Sequence, residues 1–297
     1  MRTAAIGIGS NSLRMLIADI TDGQLKRLKR CREGLRVFAA LDEKRCIVPE
    51  MIARACQSVN AFRLEALALG AQTVYLFATS AVRDAANQEQ FAVALKQATG
   101  LELEVCSGDE EACLSFWGVS ESEPTGLIDI GGGSTEIAVG CGRIVEDAAS
   151  LQMGAVRLHR QYPISCAEDA ARVVNEAGRI ADEVCSRFAD TGSRRWIGVG
   201  GTFTTSAALV QRIPWQQREK IHGFVLNRES VEKAMNELAQ MPLEQRLQLE
   251  SMQPQRADIV VHGMAILLAC MKKLNIQEIT VSEYGNLEGY LKQKFLF

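Results

Sequence analysis

Twice in this chain an apolar strand runs into a tight loop of Gly, Ser, Asn or Thr and straight out again as a second apolar strand. The first copy reads AAIGIGSNSLRMLIADI from Ala4 and the second LIDIGGGSTEIAVG from Leu127, so Ile6-Gly7-Ile8-Gly9-Ser10 falls on Ile128-Asp129-Ile130-Gly131-Gly132. This is an internal duplication, and it predicts two similar half-domains. Glycine lets a backbone approach a ligand closely, and successive N–H groups with short hydroxyls can ring an anion. A single strand–Gly–strand hairpin is often no more than a tight turn. Two copies predict a phosphate clamp between the halves, held by Gly9, Ser10, Asn11 and Ser12 in one loop and Gly131, Gly132, Gly133 and Ser134 in the other.

A third glycine turn supports this reading. RRWIGVGGTFTTSAALV predicts a strand at Trp196–Val199, the turn Gly200-Gly201-Thr202, and then a helix whose N-terminal N–H groups and dipole favour a phosphate oxygen.

The chain has 297 residues, enough for two domains with sizeable cores, and it is 47% hydrophobic with a formal net charge of −3. That balance argues against a general nucleic-acid surface, although Lys26, Arg27, Lys29, Arg30, Arg32 and Arg36 form a local basic cluster. The cluster could draw in a long polyanion or be a solvated strand face. Nine scattered cysteines with no CxxC pair read as reduced, mostly buried thiols. No stretch reaches the ~18 apolar residues of a membrane helix, and no leader pattern opens the chain, so a cytoplasmic location without membrane partners is expected.

Strands are expected at Gln24–Arg32, Gly34–Ala40, Gln72–Ala78, Leu103–Cys106 and Ile279–Ser282. Helices are expected at Pro49–Leu69, Asn87–Thr99, near 167–190, and across 203–211, 229–240 and 255–273, with a short terminal helix. This order predicts an α/β fold with mixed sheets. The polar stretch 121–126 is the expected linker. It divides the chain into 1–124, joined by the terminal helix 288–297, and 125–287.

The segments GSNSLRML at 9–16, TSAVRDAAN at 79–87, SGDEEACL at 107–114, IDIGGGSTE at 128–136, GVGGTFTT at 198–205 and RADIVVHG at 256–263 resemble the exopolyphosphatase and guanosine pentaphosphate phosphatase family. That family lies within the actin, sugar-kinase and heat-shock ATPase superfamily, and the resemblance spans essentially the whole chain. It implies two ribonuclease-H-like domains with a cleft between them and magnesium-dependent release of terminal phosphate from polyphosphate or guanosine pentaphosphate. A homodimer is compatible with it, and specific nucleic-acid binding is not expected.

Read as residues, Ser107 and Glu110 have capping-box spacing, which starts a helix near Gly108 and gathers Asp109, Glu110 and Glu111 in its first turn, where acids suit the dipole whatever the function. The resemblance implies that Glu111 is the base that activates water. Arg83 could fork a phosphate or pair with Asp84 or Asp109, and the resemblance implies phosphate. Asp129, an acid inside an apolar strand beside three glycines, has no packing reason to be there, whereas Glu136 suits a solvated strand end as well as a ligand. The resemblance makes both site residues, with oxygens suited to Mg2+ or Mn2+.

Two positions depart from the family pattern. Gly7 stands where an aspartate is usual, and Leu287 replaces the usual arginine of Gly-Leu-Arg-Glu-Gly. Alternatives to hydrolysis are therefore a catalytically impaired binding protein, or a sugar or acyl kinase.

Overall fold

A computed structural model of the chain describes residues 1–188 and 194–296. The last residues of the helix expected over 167–190, and position 297 of the expected terminal helix, lie outside the described residues.

The chain divides into two compact α/β units, Met1–Gly118 with the chain from Asn286 onward, and Val119–Gly285. The first contains β1 (Arg2–Ile8), β2 (Leu13–Thr21), β3 (Gln24–Glu33), α1 (Pro49–Ala68), β4 (Thr73–Ala78), α2 (Ser80–Arg83), α3 (Gln88–Thr99), β5 (Leu103–Val105) and α4 (Gly108–Val119). The second contains β6 (Pro124–Ile130), β7 (Thr135–Cys141), β8 (Ile144–Leu151), α5 (Ala155–Gln161), α6 (Ala167–Phe188), β9 (Arg195–Val199), α7 (Gly201–Gln211), α8 (Arg218–Ile221), β10 (Val225–Asn227), α9 (Arg228–Ala239), α10 (Leu243–Leu247), α11 (Val260–Lys273) and β11 (Glu278–Val281). The chain then returns to the first unit as α12 (Asn286–Phe295).

The sheets are ordered β3-β2-β1-β4-β5 and β10-β11-β9-β6-β7-β8. In each, an antiparallel three-strand meander is followed by two parallel strands, the ribonuclease-H-like arrangement expected from the sequence, and β10 adds an antiparallel edge to the second. The duplication is closely kept. Ile8 pairs with Leu13 as Ile130 pairs with Thr135, and a register shift falls between Ile17 and Ala18 in one copy and Val139 and Gly140 in the other, the same place in both repeats. Asp22 and Gly23, both at positive φ, turn β2 into β3 as a type I′ hairpin that matches the twist of the strands.

Two expectations are corrected. Residues 34–40 form no strand; Val37–Ala40 is a 3-10 turn, because Phe38 donates its N–H to the Ser10 carbonyl and Arg36 its N–H to Asn11, folding the segment behind the first glycine loop. The stretch 121–126 is not a free linker, since Pro124 opens β6, Gly142 N–H is bonded to the Glu121 carbonyl and Ser120 Oγ to the Gly142 carbonyl. The boundary therefore falls after Gly118 rather than at 124.

In the second unit, α11 is buried along its length and packs on α6, and His262 is only 2% exposed within it. Its Nε2 donates to the Tyr162 carbonyl at 2.7 Å and its ring meets His159 edge-on. Burial, with help from His159 and Arg246, pushes its pKa down to about 4. The unfolded chain therefore takes up a proton at His262 before the folded chain does. Stability from the neutral ring is complete above pH ~6.5 and is lost as pH falls from there towards 4, on the order of 3 kcal/mol at most. Urea unfolding between pH 7.5 and 4.5 should show this slope, and His262→Gln should flatten the part that His262 supplies.

Candidate active site

Both glycine loops are closed by the same bond: Gly9 N–H reaches the Ser12 carbonyl and Gly131 N–H the Ser134 carbonyl, each at 3.0 Å. Both also have their carbonyls taken up from behind. In the first unit the partners are Arg36 and Phe38, as above. In the second, Ala155 N–H bonds to Gly131 and the N–H groups of Val156 and Arg157 to Gly132, while Arg157 Nε holds the Gly133 carbonyl at 2.7 Å. With its carbonyls so engaged, each loop presents N–H groups and hydroxyls on its other side, the polarity an anion needs.

In the first loop, Asn11 is 4% exposed and neither polar atom of its side-chain amide has a hydrogen-bond partner. An orphaned buried amide costs about 1–3 kcal/mol, so its retention points to a polar ligand. Ser10 Oγ lies 2.7 Å from Ser80 Oγ, which ties the loop to the start of α2.

Helix α4 begins as its capping box predicts: Ser107 N–H bonds to Glu110 Oε2 at 2.7 Å and Glu110 N–H to Ser107 Oγ at 3.2 Å. Glu110 is thereby consumed in the cap, while Glu111, 6% exposed, turns inward to Arg83. Arg83 is the last residue of α2. Its Nη1 bonds to Glu111 Oε2 at 3.1 Å and to the Cys106 carbonyl at 2.9 Å, and its Nε is 3.9 Å from Asp84. Nη2 is buried with no hydrogen-bond partner, a second arm left for an anion. Cys106 beside this pair is no nucleophile: burial, then the charge of Glu111, push its thiol up to about 12.

In the second unit Asp129 and Glu136 are direct cross-strand partners, both buried, and Glu136 Oε1 accepts from Ser150 Oγ at 2.7 Å. Two carboxylates opposed across a ladder repel unless a cation is shared, so this pair fits a hard cation that takes one or two protein oxygens and keeps several waters. Among the described residues no cluster of three or more Asp, Glu, His or Cys offers a fuller set of ligands. Gly200, at φ +91°, leaves room for Asp129, whose Oδ1 would lie 2.7 Å from a Cβ there. Thr202 is packed on Gly263 of α11, so the Gly200–Thr202 turn offers its backbone more readily than that hydroxyl.

Arg256 was not singled out by sequence reasoning. Its buried guanidinium lies across Gly201 where any Cβ would collide, and its Nε bonds to Gln253 Oε1. Its presence in RADIVVHG was the available signal. The first unit thus assembles Gly9–Ser12, Arg83 and Glu111, and the second Gly131–Ser134, Gly200–Thr202, Asp129, Glu136 and Arg256.

A family model described as the Ppx/GppA phosphatase family matches residues 16–296. The chain belongs to that family. It is 31% identical to Exopolyphosphatase 2 of Mycobacterium tuberculosis, over 97% of each chain. Among solved structures, a Ppx/GppA enzyme of Aquifex aeolicus aligns at 27% identity and TM-score 0.84 over 99% of each chain. An exopolyphosphatase of Cytophaga hutchinsonii aligns at 25% and 0.88 over 99% of this chain and 97% of that one. No helix among the described residues is long and apolar enough to cross a membrane.

The two departures from the family pattern are neighbours in this phosphatase. A Cβ on Gly7 would lie 2.9 Å from Phe77 Cζ and 3.4 Å from Leu287 Cδ2, in the apolar layer where Tyr290 stacks on Phe77. An aspartate at position 7 would have to displace Phe77 and bury its carboxylate in that layer. Gly7→Asp alone should therefore cost stability, about 2 kcal/mol or more, without raising turnover. Adding Leu287→Arg should recover part of the loss. Urea unfolding of both single variants and the double variant measures the coupling.

Proposed function

We propose that this phosphatase releases terminal phosphate from inorganic polyphosphate or guanosine pentaphosphate, with Glu111 as general base. The observation that carries the reading is the Arg83–Glu111 pair, in which one arm of the guanidinium orients the carboxylate while the other is open to a phosphoryl oxygen. In this mechanism a water hydrogen-bonded to Glu111 attacks the terminal phosphorus. Its proton passes to the carboxylate, the bond from phosphorus to the bridging oxygen breaks, and the shortened chain leaves with the electron pair. Arg83 Nη2, the Asn11 amide and the loop N–H groups bind phosphoryl oxygens and hold the terminal group in place.

Asp129 and Glu136 would hold Mg2+ or Mn2+, and the cation would supply charge to the phosphates. The name of the mycobacterial relative supports polyphosphate as substrate. The impaired-binder alternative is favoured by one observation, the closing of position 7 by Phe77 and Leu287.

A phosphate-release assay with polyphosphate, guanosine pentaphosphate and ATP, without any acceptor, decides between these readings. Release supports the hydrolase and excludes a kinase, whereas tight binding without release supports the impaired reading. Glu111→Gln should keep ligand binding and lower turnover by about two to four orders of magnitude; undiminished turnover in a folded variant would remove Glu111 from the mechanism. Exhaustive chelation should abolish release, and added Mg2+ or Mn2+ should restore it.

A further inference from the structure

We infer that Arg45 is a specificity-determining residue of this phosphatase: its guanidinium contacts the phosphoryl group next to the one that Arg83 holds. The site thereby selects a terminal phosphate carried on a further phosphate over one carried on carbon. The inference rests on the reading of Arg83 as a phosphate ligand and names the substrate class that the same site prefers.

Arg45 lies at φ +62°, a left-handed conformation that few residues other than Gly, Asn and Asp adopt. Its backbone is held there from both sides. Asp42 Oδ1 accepts from the N–H groups of Lys44 and Cys46 at 2.9 and 2.7 Å, Arg45 N–H bonds to the Asp42 carbonyl, and Leu41 bridges to Ile47. Asn87 grips Ile47 with both ends of its amide, and Ala86 N–H bonds to the Arg45 carbonyl at 2.9 Å. The turn is thus fixed against the segment that follows α2. Glycine would suit this backbone without strain, so the turn explains the conformation and not the arginine.

The side chain reaches back to the same segment. Arg45 Nη2 is 3.5 Å from Asp84 Oδ2, and Asp84 Oδ1 is 3.9 Å from Arg83 Nε, so one carboxylate stands between two guanidinium groups. The two differ in depth. The side chain of Arg83 is 17% exposed, with Nη2 buried and without a hydrogen-bond partner, whereas that of Arg45 is 58% exposed. A long ion pair so open to water contributes little to stability, and the contact with Asp84 does not explain the arginine either.

A phosphoryl group seated on Arg83 Nη2 must direct its one substituent outward, and Arg45 is the exposed cation across Asp84. Where that substituent is another phosphate, a planar guanidinium can grip its oxygens in a fork; where it is a carbon ester, the arginine meets no anion. The gradient from a buried to an exposed guanidinium therefore fits a phosphoanhydride chain that enters end first. Asp84 alone would repel such a chain, and Arg45 offsets that charge.

The test is binding of tripolyphosphate and of inorganic phosphate, in chelator-containing buffer, to the wild type, Arg45→Gln, Arg45→Lys and Arg45→Gly. The wild type should prefer tripolyphosphate. Arg45→Gln and Arg45→Gly should weaken tripolyphosphate binding about tenfold and phosphate binding less than about threefold, and Arg45→Lys should recover part of the loss. Because glycine suits the left-handed turn, its loss of binding is not a loss of fold. In an Asp84→Asn background, Arg45→Gln should still cost about threefold or more.

Unchanged tripolyphosphate affinity in Arg45→Gln, equal loss for both ligands, or no tripolyphosphate binding by the wild type would overturn the inference. So would an Arg45→Gln that costs nothing once Asp84 is replaced, since Arg45 would then only neutralise that carboxylate. Phosphate release by the wild type is measured separately with Mg2+. Absence of release beside the expected binding pattern would sink the hydrolase reading and leave Arg45 in place, and release with Arg45→Gln binding as the wild type does would do the reverse.

Discussion

The site depends on a small piece of backbone accounting, made twice. A glycine N–H closes each loop onto a serine carbonyl, and further loop carbonyls are bonded from behind, those of Ser10 and Asn11 by Phe38 and Arg36 in one unit and those of Gly131, Gly132 and Gly133 by the first residues of α5 in the other. Buried carbonyls must be paired, and once these are paired on the far side the loop has only donors to offer. The donor-lined surface of each loop therefore follows from where the carbonyls go more than from any charged side chain. The two copies solve the problem with different elements, a 3-10 turn and a helix start, which is the freedom expected when the constraint is on hydrogen bonding and not on sequence.

With the loop frame shared, the copies have diverged in charge. The row beside the loop carries Gly7 and Arg14 in one and Asp129 and Glu136 in the other, at identical register positions. At Gly7 little room is left for any side chain, since Phe77 and Leu287 close over the position.

Much of this was legible in the sequence because glycine and hydroxyl residues inside apolar strands have few other reasons to be there. The duplicated loops, the capping box at Ser107 and Glu110, and the mixed α/β class all followed from local signals. The failures share one physical cause. Gly34–Ala40 has apolar residues at strand spacing, yet Leu35 and Val37 are buried by the loop they brace, and no ladder forms. Arg256 acts on Gly201 through a contact between segments distant in the chain, and Arg83 reaches Glu111 in the same way, beyond the Asp84 contact that its own segment offers. Periodicity and composition report the surroundings of a residue only along its own element.

That limit is clearest at α12. Gly289 lies so close to α4 that a Cβ would fall 1.7 Å from the Leu114 carbonyl, and Lys292 Nζ bonds to the Trp117 carbonyl at 2.7 Å. The same helix sets Leu287 against Gly7, Tyr290 on Phe77, and Asn286 and Glu288 against the arginines of β2 and β3. A helix at the end of the chain thus fixes the height of α4 over the first sheet, and α4 carries Glu111. The distance from the candidate base to its arginine is then a property of helix packing, and the glycine that allows that packing helps to set the geometry of the Arg83–Glu111 pair from a distance.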